Sequence, residues 1–347
     1  MILKIAFSKY LHSKKSFHTF FFLLTIPFFP SCGLLRNMMP SNSFTNVTVI
    51  PDSVFYTPIV WSYDTINDTQ LRKRAMFVPV YINDIGQEAL MQFDLGANLS
   101  GFYFKTLSLL ADSTPELNNR IKLTKKGSPY FENAKISFNK GVTLQKDKLY
   151  IWKHMGHDSL PKSMPVIGTI GYDILDNYIL IIDYINNRIA LVKSIPFELE
   201  KRITYIPKSD LEKFPIILPF KLGGKKIRLW FDTGTSSAQV LTSTKRLKRV
   251  SLNRQIEPLD SGYSWGKLDI EYKASVQKIE NSSLYIGNIY LRQVQVTGMD
   301  RLNTLFSLVG RYLYGFTGNA VFENCVVIID RKNNKFGIVK EILKASP

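Results

Sequence analysis

The chain has 347 residues, 45% of them hydrophobic, and a formal net charge of +17 at pH 7. This length and composition indicate a globular protein with room for two domains, and they exclude a low-complexity chain. The positive charge favours anionic surfaces such as lipid headgroups or envelope polymers. No specific nucleic-acid partner is expected, because the basic runs LRKR (71–74) and TKRLKRV (244–250) lack a nucleic-acid motif.

The first 31 residues have the features of an export signal. Four lysines precede the apolar run FFFLLTIPFF, which is too short to span a bilayer, and Ser31 precedes Cys32. The arrangement resembles a bacterial lipoprotein signal, although Phe29 and Pro30 depart from its usual residues. The resemblance implies an exported protein that is anchored in the cell envelope by lipid on Cys32. A plain cleaved signal and an uncleaved anchor are the alternatives.

Residues 32–73 are rich in Ser, Asn, Thr and Pro, and we interpret them as a tether in which VIPDSVFYTPIVW could add a strand. From about residue 75, short runs of strand-forming residues followed by turn residues predict an all-β fold. Helices are expected only at TQLRKRAM (69–76) and TSTKRLKRV (242–250). The remaining units are a first lobe (74–195), a linker (196–213), a second lobe (214–341) and a tail (342–347).

Two segments of the chain occur twice, in the same order. LMQFDLGANLSGFY, with Phe93-Asp94, has the pattern of LWFDTGTSSAQVL, with Phe231-Asp232, 138 residues later. The segment that begins at Gly171 aligns without gaps with the segment that begins at Gly318. We therefore interpret the chain as two tandem copies of one unit. The Asn-Asn pairs at 186–187 and 333–334 lie between apolar runs, which predicts hairpin turns.

An aspartate at the end of an apolar strand is costly, because a carboxylate loses its hydration there. A single Asp-Thr-Gly most often marks an ordinary turn. Two such motifs at matching places in a repeat would instead face each other across a pseudo-twofold axis. Like charges at close range cannot both ionise, so Asp94 and Asp232 would share one proton. The pair could then act as general acid and general base on a bound water.

The motif FDTGTSSAQVL and the segment LVGRYLYGFTGNAVFENCVVIIDRKNNKFGIV resemble the pepsin-like and retroviral-type aspartic proteases. The resemblance covers about residues 75–341. It implies two tandem β-barrel lobes with a cleft between them, and peptide hydrolysis through a water with no metal, cofactor or covalent intermediate. Asp94 and Asp232 would be the catalytic pair. The residues that would orient the pair or bind substrate are Gly96, Ala97, Thr233, Gly234 and Thr235.

The first motif departs from the family pattern at two positions. Leu95 stands where the family has Thr or Ser, so one side of the hydrogen-bond pair that braces the two turns would be missing, and Thr233 would need another partner. Ala97 stands where pepsins have Ser or Thr, although retroviral-type enzymes also have Ala at this position. Thr235 can donate a hydrogen bond to Asp232, whereas Ala97 cannot do so for Asp94. We therefore expect Asp94 to carry the shared proton.

The family also covers its cleft with a hairpin flap that bears a tyrosine. Tyr130, in KKGSPYFENAK, and Tyr263, in DSGYSWGKL, are the candidates. His154 and His157 have a metal-like spacing but no evident third ligand, so a loop is expected there. Cys325 is expected to be a buried small apolar residue.

The leading interpretation is an aspartic-type endopeptidase that acts on peptide or protein substrates. The alternative is a catalytically impaired pseudopeptidase that binds peptide or envelope polymer in the interlobe cleft, and Leu95 favours it. A third interpretation, a structural lipoprotein, would leave the paired Asp motifs unexplained.

Overall fold

The computed structural model describes most of the chain beyond residue 52. Strands dominate the described part, which confirms the all-β fold class. None of the helices in that part is both long and apolar enough to cross a membrane. The predicted export signal, Cys32 and Tyr263 lie outside the described residues. Those residues are 53–66, 70–82, 86–114, 116–138, 142–161, 163–176, 178–236, 238–250, 257–258, 276–300, 302–303 and 313–340.

The strands, in chain order, are β1 (Thr57–Pro58), β2 (Val60–Ile66), β3 (Gln70–Ile82), β4 (Gln87–Phe93), β5 (Gly101–Tyr103), β6 (Ile121–Leu123), β7 (Pro129–Phe138), β8 (Val142–Trp152), β9 (Val166–Ile170), β10 (Ile179–Asp183), β11 (Arg188–Val192), β12 (Thr204–Tyr205), β13 (Ile217–Leu222), β14 (Lys225–Phe231), β15 (Val240–Ser243), β16 (Glu257–Pro258), β17 (Val276–Ile286), β18 (Ile289–Met299), β19 (Gly315–Thr317), β20 (Cys325–Asp330) and β21 (Lys335–Lys340). The α-helices are α1 (Phe104–Ser113), α2 (Glu116–Arg120), α3 (Phe197–Glu200) and α4 (Thr244–Val250), and the 3-10 helices are η1 (Tyr172–Leu175) and η2 (Asn319–Phe322).

The first lobe is a closed β-barrel. Its sheet has the order β2-β3-β4-β9-β5-β8-β7-β6, and an additional pairing of β3 with β7 closes the ring. Side chains alternate along the strands, so that Ala89, Met91 and Phe93 of β4 all point into the apolar core. The strand therefore ends with a buried Phe93, and Asp94 is the first residue beyond it.

The second lobe repeats this barrel except for β2, which has no counterpart among the described strands. Its sheet has the order β13-β14-β19-β15-β18-β17-β16, and a pairing of β13 with β17 closes the ring. In both lobes the strand that precedes the aspartate runs parallel to its neighbour, β4 with β9 and β14 with β19. The predicted pair of tandem β-barrel lobes is confirmed.

A six-stranded antiparallel sheet joins the lobes in the order β1-β11-β10-β20-β21-β12. At its centre β10 pairs with β20, and Ile181 lies opposite Ile328. These two residues are counterparts in the aligned repeat, since 328 minus 181 equals the 147-residue offset between Gly171 and Gly318. The pseudo-twofold axis therefore passes between Ile181 and Ile328.

Two contacts between the lobes obey the same symmetry. The Tyr184 hydroxyl donates a hydrogen bond to Asn319 Oδ1 at 2.5 Å, and the Arg331 guanidinium lies 4.7 Å from the centre of the Tyr172 ring. Arg331 is the repeat counterpart of Tyr184, and Asn319 is the counterpart of Tyr172. Each lobe thus makes the same crossing contact with different side chains, as in a two-fold interface.

The predicted hairpin turns are confirmed. Asp183 and Asp330 accept hydrogen bonds from the backbone and side-chain amides of the first asparagine in each Asn-Asn pair. The second asparagines, Asn187 and Asn334, have φ values of 49° and 51°. Asparagine tolerates this left-handed conformation better than most residues, which explains the repeated pair.

Three local predictions have different outcomes. The helix expected at TQLRKRAM is wrong, because residues from Gln70 onward lie in β3, where this stretch pairs with β2. The helix expected at TSTKRLKRV is present as α4. The strand suggested within 32–73 is present as β1 and β2, so regular structure begins inside the segment interpreted as a tether. Cys325 is buried, as expected.

Candidate active site

The two aspartate turns have the same backbone geometry. The Asp94 amide donates to the carbonyl oxygen of Ile170 at 2.9 Å, and the Asp232 amide donates to that of Thr317 at 2.9 Å. Ile170 and Thr317 end the parallel neighbours β9 and β19. Each aspartate is therefore held at the end of a pair of barrel strands, rather than in an exposed turn.

The glycine of each turn donates to the carboxylate of its own turn. Gly96 N lies 2.8 Å from Asp94 Oδ1, and Gly234 N lies 2.8 Å from Asp232 Oδ1. These bonds favour the charged carboxylate and fix its orientation. They are the contacts expected of residues that orient an aspartate pair.

Each glycine also packs against the aspartate of the other lobe. A methyl group built on Gly96 would lie 2.6 Å from Asp232 Oδ2, and one built on Gly234 would lie 2.6 Å from Asp94 Oδ2. Such distances are well inside van der Waals contact, so only a residue without Cβ fits at either position. The structure thus brings Asp94 and Asp232 face to face across the pseudo-twofold axis.

The surroundings of Asp94 favour its protonated form. Burial is the largest cause that raises the pKa of Asp94 well above its ordinary value, followed by the negative charge of Asp232 and a side-chain hydrogen bond with it. The amides of Gly96 and Ala97 act in the opposite direction. Because two close carboxyls share their titration, the raised pKa describes a pair that retains a proton.

The two turns differ in the hydroxyl that supports the carboxylate. Thr235 Oγ1 donates to Asp232 Oδ2 at 2.8 Å, as expected from the sequence. Ala97, at the matching position, contributes only its amide, which donates to the Asp94 carbonyl oxygen at 3.1 Å. The difference stabilises charge on Asp232 relative to Asp94.

Thr233 supplies the contact between the turns that Leu95 cannot return. It is fully buried, and its hydroxyl donates to the carbonyl oxygen of Phe93 at 2.9 Å. Thr233 Oγ1 also accepts a hydrogen bond from the Leu95 amide at 2.8 Å. Thr233 therefore finds its partners on the backbone of the first lobe. The Leu95 side chain is buried in the apolar core instead.

Asn319 supports the second turn, and no motif in the sequence pointed to it. Its side-chain nitrogen donates to Thr233 O at 2.8 Å and to Ser236 Oγ at 2.7 Å. Ser236 in turn donates to Thr233 O at 2.9 Å. The sequence signal is a polar residue directly after Gly318, at the start of the otherwise apolar η2.

Tyr103 also lies near the aspartate pair, and no sequence motif predicted it there. Its hydroxyl is 2.5 Å from Thr169 Oγ1. Burial raises the pKa of Tyr103 to about 12, the hydrogen bond with Thr169 opposes the rise, and the negative charge of Asp94 adds to it. The only signal is a bulky residue nine positions after Asp94, which Leu241 matches in the second lobe.

The remaining candidate residues have separate positions. Tyr130 lies in β7, and Lys148 Nζ is 5.3 Å from the centre of its ring. Its flap role stays a prediction, as does that of Tyr263. His157 Nε2 accepts a hydrogen bond from the Val166 amide at 3.0 Å, so this histidine has a structural partner. Within the described ranges, no three His, Cys, Asp or Glu residues are grouped as a metal site.

Comparisons with known proteins identify the fold. No protein-family model matches the sequence, and no curated protein matches it. Among solved structures the chain is similar to an aspartic proteinase from Irpex lacteus, with 13% identity and a TM-score of 0.50. The alignment covers 85% of this chain and 99% of that one. At this identity the likeness shows the fold alone, which is that of the pepsin-like aspartic proteinases.

Proposed function

We propose that the protein is an aspartic-type endopeptidase that hydrolyses peptide bonds with a water activated by Asp94 and Asp232. The observation that carries the proposal is the mutual approach of the two turns, in which each carboxylate packs against the glycine of the other lobe. An ordinary structural turn does not require a second, partly buried carboxylate at close range. The pepsin-like fold supports the same assignment.

In the proposed mechanism the two carboxyls have different roles. Asp232, which accepts hydrogen bonds from Thr235 and Gly234, is the charged partner and removes a proton from the water. Asp94, whose pKa is raised, donates its proton to the carbonyl oxygen of the peptide. The water oxygen bonds to the carbonyl carbon and gives a tetrahedral diol. Collapse of the diol breaks the C–N bond, Asp232 passes its proton to the leaving amine, and Asp94 recovers its own proton from a diol hydroxyl.

We further propose that the protein acts outside the cytoplasm. The export signal and Cys32 support a lipid-anchored protein of the cell envelope, and its substrates would be peptides or proteins there. Removal of residues 1–31 takes away four lysines and no acid, which lowers the formal net charge from +17 to +13. That charge favours an anionic envelope surface.

A pseudopeptidase that binds peptide without cleaving it is the second candidate. Leu95 favours it, because the missing hydroxyl means that only Thr233 provides a side-chain bridge between the two turns. The two candidates differ in one experiment. The purified full chain in detergent is incubated with a diverse peptide library, with and without a statine-type inhibitor that mimics the tetrahedral intermediate.

New cleavage products that the inhibitor suppresses would support the endopeptidase. Retention of library peptides without products would support the pseudopeptidase and overturn the proposed activity. Products that persist unchanged with saturating inhibitor would indicate a contaminating protease of another class.

A further inference from the structure

The first lobe contains a buried ion pair that the proposed chemistry does not use. Lys146 Nζ contacts Asp173 Oδ2, and the two residues are only 2% and 4% exposed. Lys146 lies on β8 between inward-facing apolar residues, at a position where the barrel pattern requires an apolar side chain. A buried ion pair is weak evidence for stability, because desolvation offsets much of the attraction. Stability alone therefore does not explain the ion pair, and its contacts indicate that it positions neighbouring parts of the chain.

Asp173 connects this lysine to the loop that follows Asp94. Asp173 Oδ1 accepts hydrogen bonds from the amide of Ser100 at 2.9 Å and from its hydroxyl at 2.6 Å. The Ser100 hydroxyl oxygen also accepts from the Gly171 amide at 2.9 Å. We call Ser100, Lys146 and Asp173 the first-lobe brace. Each of its polar groups has a partner, which makes such a network rigid and specific.

The brace lies directly behind the Asp94 turn. The segment that carries Asp173 also supplies Ile170 O, which accepts from the Asp94 amide, and Tyr172 N, which donates to Ala97 O at 2.8 Å. The brace therefore fixes the same two pieces of chain, 94–100 and 170–173, whose contact sets the position of the Asp94 carboxyl.

The second lobe has no counterpart of this brace. In the aligned repeat Ser100 corresponds to Ala238, and Asp173 corresponds to Ala320. The second turn is held within its own lobe by the neutral side chains of Asn319 and Ser236, and between the lobes by the bonds from Tyr184 to Asn319 and from Thr233 to the backbone of the first turn. The lobe whose turn lacks the bridging hydroxyl, at Leu95, is thus the lobe with a buried ion pair behind its turn.

We propose that Ser100, Lys146 and Asp173 are positioning residues, which hold the Asp94 turn from inside its own lobe and replace the hydroxyl that Leu95 lacks. This inference rests on the proposed peptidase function for its kinetic consequences, and on the geometry alone for its structural ones. It predicts that the brace and a hydroxyl at position 95 are partly interchangeable.

The test uses the double variant Lys146→Met/Asp173→Asn, which removes both charges and leaves no lone buried ion. Lys105→Ala/Asp158→Ala is the matched control, because it removes an exposed ion pair of the same lobe. Both variants are made with and without Leu95→Thr. Thermal unfolding, amide hydrogen exchange and, with a cleaved peptide, kcat and KM are measured for each protein.

In the Lys146→Met/Asp173→Asn variant we expect amide exchange to accelerate, relative to wild type, more in residues 94–100 than in the rest of the first lobe. We expect kcat to fall about tenfold to a hundredfold and KM to stay within about threefold of wild type. Leu95→Thr should restore much of this loss in the brace variant and have less effect in the control. Exchange that rises evenly over the lobe, or effects of the brace variant that Leu95→Thr does not reduce, would contradict the proposed positioning role of the brace.

If the wild type cleaves no peptide, the proposed function fails, but hydrogen exchange still tests whether the brace positions the Asp94 turn. Selective exchange at 94–100 that Leu95→Thr reverses would then support it. An even rise, or a rise that Leu95→Thr leaves unchanged, would contradict it.

Discussion

The hydroxyl of Thr233 lies between the backbones of both aspartate turns, and its oxygen is 2.8 Å from the amide nitrogen of Leu95. It also donates to Phe93 O at 2.9 Å, so one side chain satisfies two backbone groups of the other lobe. Leu95 occupies the symmetric position and returns no such bond. The bridging hydroxyl between the turns therefore comes from the second lobe only.

Replacement of Thr233 by valine, which has a similar shape, should destabilise the protein and lower its activity. The change leaves the buried amide of Leu95 without its partner, which costs about 1–3 kcal/mol in the free energy of unfolding. Denaturant unfolding and the cleavage rate measure the two effects. Thr242→Val is the control, because Thr242 is equally buried but its hydroxyl bonds to Tyr314 O within the second lobe. A Thr233→Val protein with full activity would show that the bridge does not position the pair.

Gly96→Ala should abolish activity while the barrels still form. The added methyl group would overlap the Asp232 carboxylate, so the two turns would have to move apart. A displacement of this size at a reacting centre costs about a hundredfold or more in rate. Gly224→Ala is the control, because Gly224 lies in the β13–β14 hairpin with open space around it, although its φ of +87° adds some strain. Wild-type activity in Gly96→Ala would contradict the close approach.

The pH profile should have its optimum on the weakly acid to near-neutral side. The raised pKa of Asp94 means that its proton is lost at a higher pH, and activity that needs this proton persists up to that pH. Ala97→Ser would place a hydroxyl beside Asp94 as Thr235 places one beside Asp232, which lowers the pKa of Asp94. The upper limb of the profile should then move to lower pH. An optimum near pH 2–3, or an unmoved upper limb, would contradict this assignment of the proton.

Sequence reasoning reached the two lobes and the juxtaposition of Asp94 with Asp232 because both follow from the repeat. The offset that aligns Gly171 with Gly318 also aligns Ile181 with Ile328, but only the register of β10 with β20 shows that the axis passes between these two residues. The segment after Gln70 was predicted incorrectly because its charged residues suit an exposed helix, and only pairing with β2 makes it a strand.

The brace residues could not be derived from motifs, since they come from three distant segments. Lys146 belongs to the charged run Lys146-Asp147-Lys148, which suggests an exposed side chain, and Asp173 corresponds to an alanine in the aligned repeat. Such a mismatch between repeats marks a place where the lobes differ. It does not say which partner each charge finds, because that depends on how the barrel closes.

Cys32 is expected to carry lipid, because a basic and apolar stretch precedes it with a small residue at position 31. Cys32→Ser should therefore move the protein from the membrane fraction to the soluble fraction, and metabolic labelling with a fatty acid should be lost with it. Cys325→Ser is the control, because that cysteine is buried in the second half of the chain. Membrane recovery of Cys32→Ser equal to that of wild type would count against the anchor.

The proposed catalytic roles of Asp94 and Asp232 are tested by the cleavage rate of one reporter peptide by wild type, Asp94→Asn and Asp232→Asn. Circular dichroism checks that each variant folds. Each substitution removes one half of the shared-proton pair and keeps the size of the side chain. The shared-proton mechanism predicts that both variants fold and that each loses about a hundredfold to ten-thousandfold in rate. A folded variant of either kind that cleaves the peptide at the wild-type rate would contradict it.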